Sequence, residues 1–159
     1  MSKFYVRAAQ KQDISIVFKF IKLIAEYEKM SEHVLTNEES LEKELFFKKS
    51  AEVIVGFEDD KPVAFALYYY NFSTFLGTKG LYLEDIFVCE EYRAKGYGTQ
   101  MFKALSKIAF ENSVGRMEWR CLKWNEASLS FYEKLGAKKL NDWVSLTLDK
   151  IEIEGLSKN

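Results

Sequence analysis

Proline is almost missing from this chain: Pro62 stands alone among 159 residues, and no proline-rich, glycine-rich or low-complexity stretch marks a linker. One domain, residues 1–159, is therefore expected, with a chain long enough to bury about two thirds of its unfolded surface. Cysteine is nearly as scarce. Cys89 and Cys121 lie far apart and in no CxxC or Cys/His cluster, which excludes a disulfide framework, gives no zinc spacing and fits a reducing compartment. Both read as small buried side chains. The only histidine, His33, receives no role. No apolar run approaches the roughly 20 residues of a membrane span, and the start, MSKFYVRAAQ, lacks the apolar core of a signal peptide. The expectation is a soluble cytoplasmic protein. Neither sign of charge dominates, with 23 Lys and Arg against 24 Asp and Glu, so nothing points to nucleic acid or another polyanion.

What is abundant is hydrophobic residues, 48% of the chain, in two periodicities. Phe4 to Arg7 suits a short strand, and Asp13 is placed to cap a helix through Ile14, Val17, Phe18, Ile21, Ile24 and Ala25. Ile16, Phe20, Leu23 and Tyr27 on its other side predict that this helix is covered on more than one face. Thr36-Asn37-Glu38-Glu39 has capping-box spacing and opens a second helix toward Phe46. Val53 to Phe57 and Val63 to Tyr70 read as a hairpin around the polar turn Glu58 to Pro62, and Leu81 to Val88 as a further strand. A helix from Thr99, a strand from Arg116 to Leu122, a helix from Ala127 to Leu135 stopped by Gly136, and a closing strand from Val144 to Leu148 complete the reading. The predicted class is α/β or α+β, a mixed sheet flanked by helices.

Two short stretches carry chemistry. In EEYRAKGYGTQMF a strand gives way to a helix through Gly96 and Gly98, with Arg93 and Lys95 beside them. Unpaired N–H groups at the positive end of a helix dipole attract anions, and glycines let a phosphate approach the backbone. Neither a P-loop nor a dinucleotide fingerprint fits this spacing, which taken alone suits an ordinary helix start equally well. In LYLEDIFV, Glu84 and Asp85 interrupt an apolar octet, and strand alternation sends them to opposite faces. Carboxylates in such a setting are solvated, paired or functional. Downstream, WNEASLSFYEKLGA places Asn125 at a helix entry and Tyr132 two turns inside, where a core aromatic is the plain reading.

Arg93-Ala94-Lys95-Gly96-Tyr97-Gly98 resembles the R/Q-x-x-G-x-G/A acetyl-CoA loop of the GNAT acetyltransferase superfamily. With MSKFYVRAA, LIAEYEKM, LYLEDIFV and the WNE…FY segment, the chain is similar nearly end to end to the spermidine/spermine (diamine) and thialysine acetyltransferase branch. That resemblance implies a GNAT-like, mostly antiparallel central sheet, acetyl-CoA as cosubstrate, no metal, and a homodimer. It implies Glu84 as general base, directly or through water, and Tyr132 as the acid that protonates departing CoA. Ile86, Phe87 and Val88 would align the pantetheine arm; Arg93, Ala94, Lys95, Gly96, Tyr97, Gly98 and Thr99 would hold the diphosphate; Asn125 and Ser128 would assist at the cofactor. Tyr27, Glu28 and Asp85 would receive a cationic amine.

The loop Asn71 to Gly77 departs from the polyamine enzymes, which have an acidic residue and a Trp there, and is more similar to thialysine-type members. A small primary amine is the expected acceptor: a diamine, a polyamine, or a thialysine- or ornithine-like compound. The alternatives are a protein lysine or N-terminal acetyltransferase, against which Phe72 and Phe75 argue, and a CoA-binding regulatory module without turnover.

Overall fold

Asp59 and Asp60 both take left-handed backbone angles, φ 46° and 67°, and so join β2 (Glu52–Glu58) to β3 (Lys61–Ser73) by a two-residue turn. Positive φ at both central positions matches the right-handed twist of the flanking strands. The turn is therefore tighter than the five polar residues suggest. It is pinned from β1 (Phe4–Ala8) and its approach: Lys3 N–H donates to Asp59 Oδ1 and the Tyr5 hydroxyl to Asp60 Oδ1, each at 2.8 Å. Pro62 is tolerated inside β3 because the β2–β3 register shifts there, pairing Gly56 with Ala64 and Phe57 with Pro62.

The computed structural model describes residues 2–159 and divides into two compact units, Met1–Arg120 and Cys121–Asn159. The first holds a five-stranded sheet in the order β1-β2-β3-β4-β5, with β4 at Thr78–Val88 and β5 at Met117–Trp119. Its first four strands are antiparallel, and β5 runs parallel to β4. The mixed, mostly antiparallel sheet is the one expected.

Helix α1 (Ile14–Tyr27) covers one face of the sheet. Val17 and Phe20 are its buried residues, packed with Val53, Val55, Phe57, Phe65, Leu67 and Phe87, and Phe20 stacks on Phe65 with ring centroids 5.0 Å apart. Fully burying a side chain such as Phe65 contributes about 1.5–3 kcal/mol. Phe20 belongs to the second apolar side noted in the sequence, so the helix is indeed buried beyond one narrow stripe. Asp13 holds the cap position of α1, but its carboxylate turns away from the helix. It accepts from Arg7 at 2.7 and 3.2 Å and from Gln10 N–H at 2.7 Å, which holds it below the usual carboxylate range. Helix α2 (Glu38–Glu42) is capped by Asn37, which accepts from Ser40 N–H, one residue later than the expected Thr36, and runs into a wider π turn at Lys43–Phe47.

Helix α3 (Tyr97–Glu111) lies on the opposite face, where Met101, Phe102 and Leu105 are buried. A Cβ on Gly56 would meet Phe4 and Met101 within 3.0 Å, so this glycine permits close packing of β2 under α3.

The second unit holds α4 (Glu126–Lys134) and α5 (Lys150–Ser157). Gly136 just past α4 has φ 96°, the left-handed stop read from the sequence. The expected closing strand from Val144 to Leu148 does not form, and the sheet ends at β5. Alternation of apolar and polar residues gives strand propensity, yet a strand exists only where another strand takes its hydrogen bonds. Val144 and Leu146 remain 81% and 92% exposed. The expected strand from Arg116 to Leu122 contracts to three residues for the same reason, and α5 was not foreseen.

Candidate active site

Strand β4 contains one residue more than β3 can match. Leu67 pairs with Asp85 and Tyr68 with Leu83, which leaves Glu84 as the extra residue of a β-bulge. The bulge breaks the two-residue alternation. Leu83 pairs with Tyr68 and Trp119, and the Trp119 ring packs against Phe102 of α3. Phe87, four residues on, pairs with Phe65 and packs with Phe20 of α1. In a regular strand, residues 83 and 87 would share one face. The expectation that Glu84 and Asp85 point to opposite faces is therefore corrected: the bulge brings both to the side of α1. Glu84 is exposed, and its charge reaches Asp85, Glu28 at the end of α1, and Tyr69.

The electrostatics follow from this crowding of acids. Burial, then the charges of Glu84 and Glu28, push the Asp85 carboxyl up to about 7. Burial, then Glu84, also raises Glu28, while Arg120 opposes the rise. Tyr69 is raised by burial, Glu84 and Tyr82, again against Arg120. Such a cluster of acids favours a neighbouring positive charge. Arg120 and Tyr69 were not singled out in the sequence, because no local spacing links them to the carboxylates.

The same bulge lies where the sheet opens. β5 pairs only with Leu81 to Leu83, so from Glu84 to Val88 the strand has β3 on one side and no strand on the other among the described residues. An unpaired strand edge is a template for an extended, amide-bearing chain. Ile86, Phe87 and Val88 form this edge, and the Val88 carbonyl already accepts from Arg93 Nε at 2.9 Å.

After β4 the chain turns into α3 through Arg93 to Gly96. Ala94 and Gly96 have φ 63° and 82°, the first unforeseen because alanine rarely adopts this region. Gly98 sits inside α3, which begins two residues before the expected Thr99. No side chain caps α3, whose position before the first turn is held by Gly96. The amides of Tyr97, Gly98 and Thr99 thus head the helix without a side-chain acceptor, the arrangement an anion uses. The two cations of the loop are engaged. Arg93, besides bonding Val88, lies over the rings of Tyr27 and Phe87 at 4.9 and 5.3 Å. Lys95 Nζ pairs with Glu58 Oε1 at 2.9 Å.

In this way the first unit groups Tyr27, Glu28, Glu84 and Asp85 on the α1 side of the sheet, with Arg93 tying the loop before α3 to Tyr27. Asn125, Ser128 and Tyr132 belong to the second unit. There Asn125 caps α4 by accepting from Ser128 N–H at 3.3 Å, and the Tyr132 ring packs beside Phe131 at 5.6 Å. No grouping of three or more His, Cys, Asp or Glu side chains able to hold a metal occurs among the described residues. No helix among them is long and apolar enough to cross a membrane.

The acetyltransferase (GNAT) family matches residues 19–137. A thialysine N-epsilon-acetyltransferase of Bos taurus is 32% identical over 146 residues, 86% of this chain and 85% of that protein. A human spermidine/spermine N(1)-acetyltransferase-like protein 1 is 34% identical over 152 residues, 89% of this chain but 21% of that longer protein. Among solved structures, an integron cassette protein from the mobile metagenome of V. cholerae is similar with a TM-score of 0.80, covering 98% of both chains at 25% identity. The exposed strand edge beside an uncapped helix start, on a sheet of this order, thus belongs to a member of the GNAT acetyltransferase family, an acyltransferase that acetylates amines.

Proposed function

We propose that this protein transfers the acetyl group of acetyl-CoA directly to a primary amine of a small cationic acceptor, a diamine, a polyamine or a thialysine- or ornithine-like compound. The grouping of Glu28, Glu84 and Asp85 beside Tyr27 carries this reading, because burial and the neighbouring negative charges raise Glu28 and Asp85, and a bound cation relieves that crowding. The names of the bovine and human relatives agree with an amine of this kind.

The chemistry requires the amine to lose its proton. An alkylammonium with a pKa near 10.4 is almost wholly charged at neutral pH, so its neutral form costs roughly 4–5 kcal/mol. Glu84, exposed and outside the β3 ladder, is the general base, directly or through one water. The free amine attacks the thioester carbonyl, the C–N bond forms as the C–S bond breaks, the electron pair leaves on sulfur, and the acylated nitrogen sheds its second proton to solvent, from which Tyr132 is reprotonated after it donates. Tyr132 protonates the departing thiolate. No covalent enzyme intermediate arises.

Acetyl-CoA supplies the activated acyl group. Ile86, Phe87 and Val88 present the strand edge to its pantetheine amides, and residues 94–99 present backbone N–H groups to its diphosphate, while the Arg93 N–H is held by the Glu90 carbonyl. Asn125 and Ser128 assist at the cofactor. The protein acts in the cytoplasm as a homodimer, and the exposed apolar residues Val144, Leu146 and Ile151 are surface that a second copy would cover.

The test is CoA release by the purified protein with acetyl-CoA and a panel of putrescine, spermidine, ornithine, thialysine and a lysine peptide. Turnover of one or more small amines with little on the peptide is the expected result. Preference for the peptide would favour a protein acetyltransferase, and CoA binding without release would make the chain a regulatory module.

A further inference from the structure

One carboxylate oxygen lies under the loop that leads into α3. Glu58, the last residue of β2, is 9% exposed, and its Oε1 accepts from Lys95 Nζ at 2.9 Å and from the Tyr97 hydroxyl. Lys95 and Tyr97 flank Gly96. The loop therefore holds two left-handed residues, Ala94 and Gly96, while the residues alternating with them are tied to a single atom of the sheet. A left-handed alanine is strained and persists only where its surroundings hold it. The other contacts reinforce this anchor: the Tyr97 ring stacks on Phe4 of β1 with centroids 4.1 Å apart, and Lys95 Nζ lies 5.0 Å from the centre of the Tyr92 ring. Tyr97 and Lys95 hold the Glu58 carboxyl below its ordinary range, so it stays ionised at neutral pH.

We infer that Glu58 is a positioning residue for the cofactor: by gripping Lys95 and Tyr97 together, it fixes the backbone turn at residues 94–96 whose amides receive the diphosphate of acetyl-CoA. This rests on the acetyl-CoA reading above. Glu58 lies at the far end of β2 from the chemistry and touches no reacting atom. Its carboxylate also keeps the Lys95 ammonium at the loop, so charge and backbone shape are set by one group. The preceding turn matters too, because Asp59 and Asp60 are held from Lys3 and Tyr5, which fixes where β2 ends.

The experiment compares two acyl donors, acetyl-CoA and S-acetylpantetheine, which carries the same thioester without the diphosphate. The readout is the ratio of their kcat/KM values in the wild-type protein, Glu58→Ala, Glu58→Gln and Tyr97→Phe. Loss of an ionic hydrogen bond that shapes the loop lowers the preference for acetyl-CoA about tenfold in Glu58→Ala. Glu58→Gln, which still bonds Tyr97, recovers part of it. Tyr97→Phe keeps the stack on Phe4 and the Lys95 pair, so it folds even where Glu58→Ala does not, and lowers the ratio to a smaller degree. A merely structural role would depress both donors equally and leave the ratio unchanged in all three variants, which overturns the inference. CoA binding to the wild-type protein, measured first by calorimetry, separates the two readings. Absence of binding there would sink the acetyl-CoA reading and this inference with it, whereas binding with an unchanged donor ratio in the variants sinks this inference alone.

Discussion

Asp85 pairs with Leu67 across the sheet, while its neighbour Glu84 has no counterpart on β3 at all. This inequality between adjacent acids sets their chemistry. Asp85 is held in the ladder and half-buried, so its proton is retained toward neutrality; Glu84 stands out of the ladder and in solvent. One is suited to neutralise a bound cation and the other to take a proton.

Glu84→Gln removes the proposed base but keeps the shape of the bulge. Thiol release at saturating acetyl-CoA is expected to fall by roughly 10²-fold or more, with CoA affinity unchanged by calorimetry. A loss of CoA affinity equal to the loss in rate would reassign Glu84 to cofactor binding.

Tyr132→Phe deletes one hydroxyl within α4. Transfer from acetyl-CoA slows by about 10²-fold while the CoA dissociation constant holds. Equal losses in both would mean that the hydroxyl packs or binds instead of donating a proton.

Asp85 gives the folded protein a proton affinity that the unfolded chain lacks, since its carboxyl moves from 3.8 to about 7. Between these values the native state binds more protons than the unfolded state, so this group's contribution to stability falls as pH rises from about 4 to about 7. Asp85→Asn removes that slope. Denaturation midpoints of wild type and Asp85→Asn, compared at several pH values, should diverge in favour of the variant across this window and run parallel above it. Parallel curves throughout would show that Asp85 is not buried as a neutral acid.

Arg93→Ala removes the bond to the Val88 carbonyl and the cation lying over Tyr27 and Phe87. A loss of about 1 kcal/mol is expected, seen as a fall of roughly 2–4 °C in Tm, together with a raised KM for the amine. A raised KM for acetyl-CoA alone would instead place the guanidinium's role at the diphosphate.

Phe20→Ala empties the contact between α1 and the sheet. Its burial and its stacking on Phe65 set a cost of about 3–5 kcal/mol in chemical denaturation. A cost below about 1 kcal/mol would mean that α1 is only loosely docked.

The order of elements as far as α4, the covered helix α1 and the left-handed turn at Gly96 were legible in the chain, because each is signalled by residues adjacent in sequence. Hydrophobic spacing marks a helix whatever it packs against, and glycine marks a turn by what it permits. The WNE…FY segment likewise announced α4 and its Asn125 cap, since a cap and the amide it accepts from are three residues apart. Pairing across the sheet decided the rest. Glu84 and Asp85 alternate until a count of residues on β3 shows that one of them has no partner, and that count involves the pairs Leu67 with Asp85 and Tyr68 with Leu83, far apart in sequence. Val144 to Leu148 has the composition of a strand and lacks a neighbour to make it one. Glu58 and Lys95 are 37 residues apart and carry no motif, so only the fold of β2 beneath the loop could bring them together. Local propensity is written in neighbouring residues, whereas register, bulges and ion pairs depend on which distant backbone lies alongside.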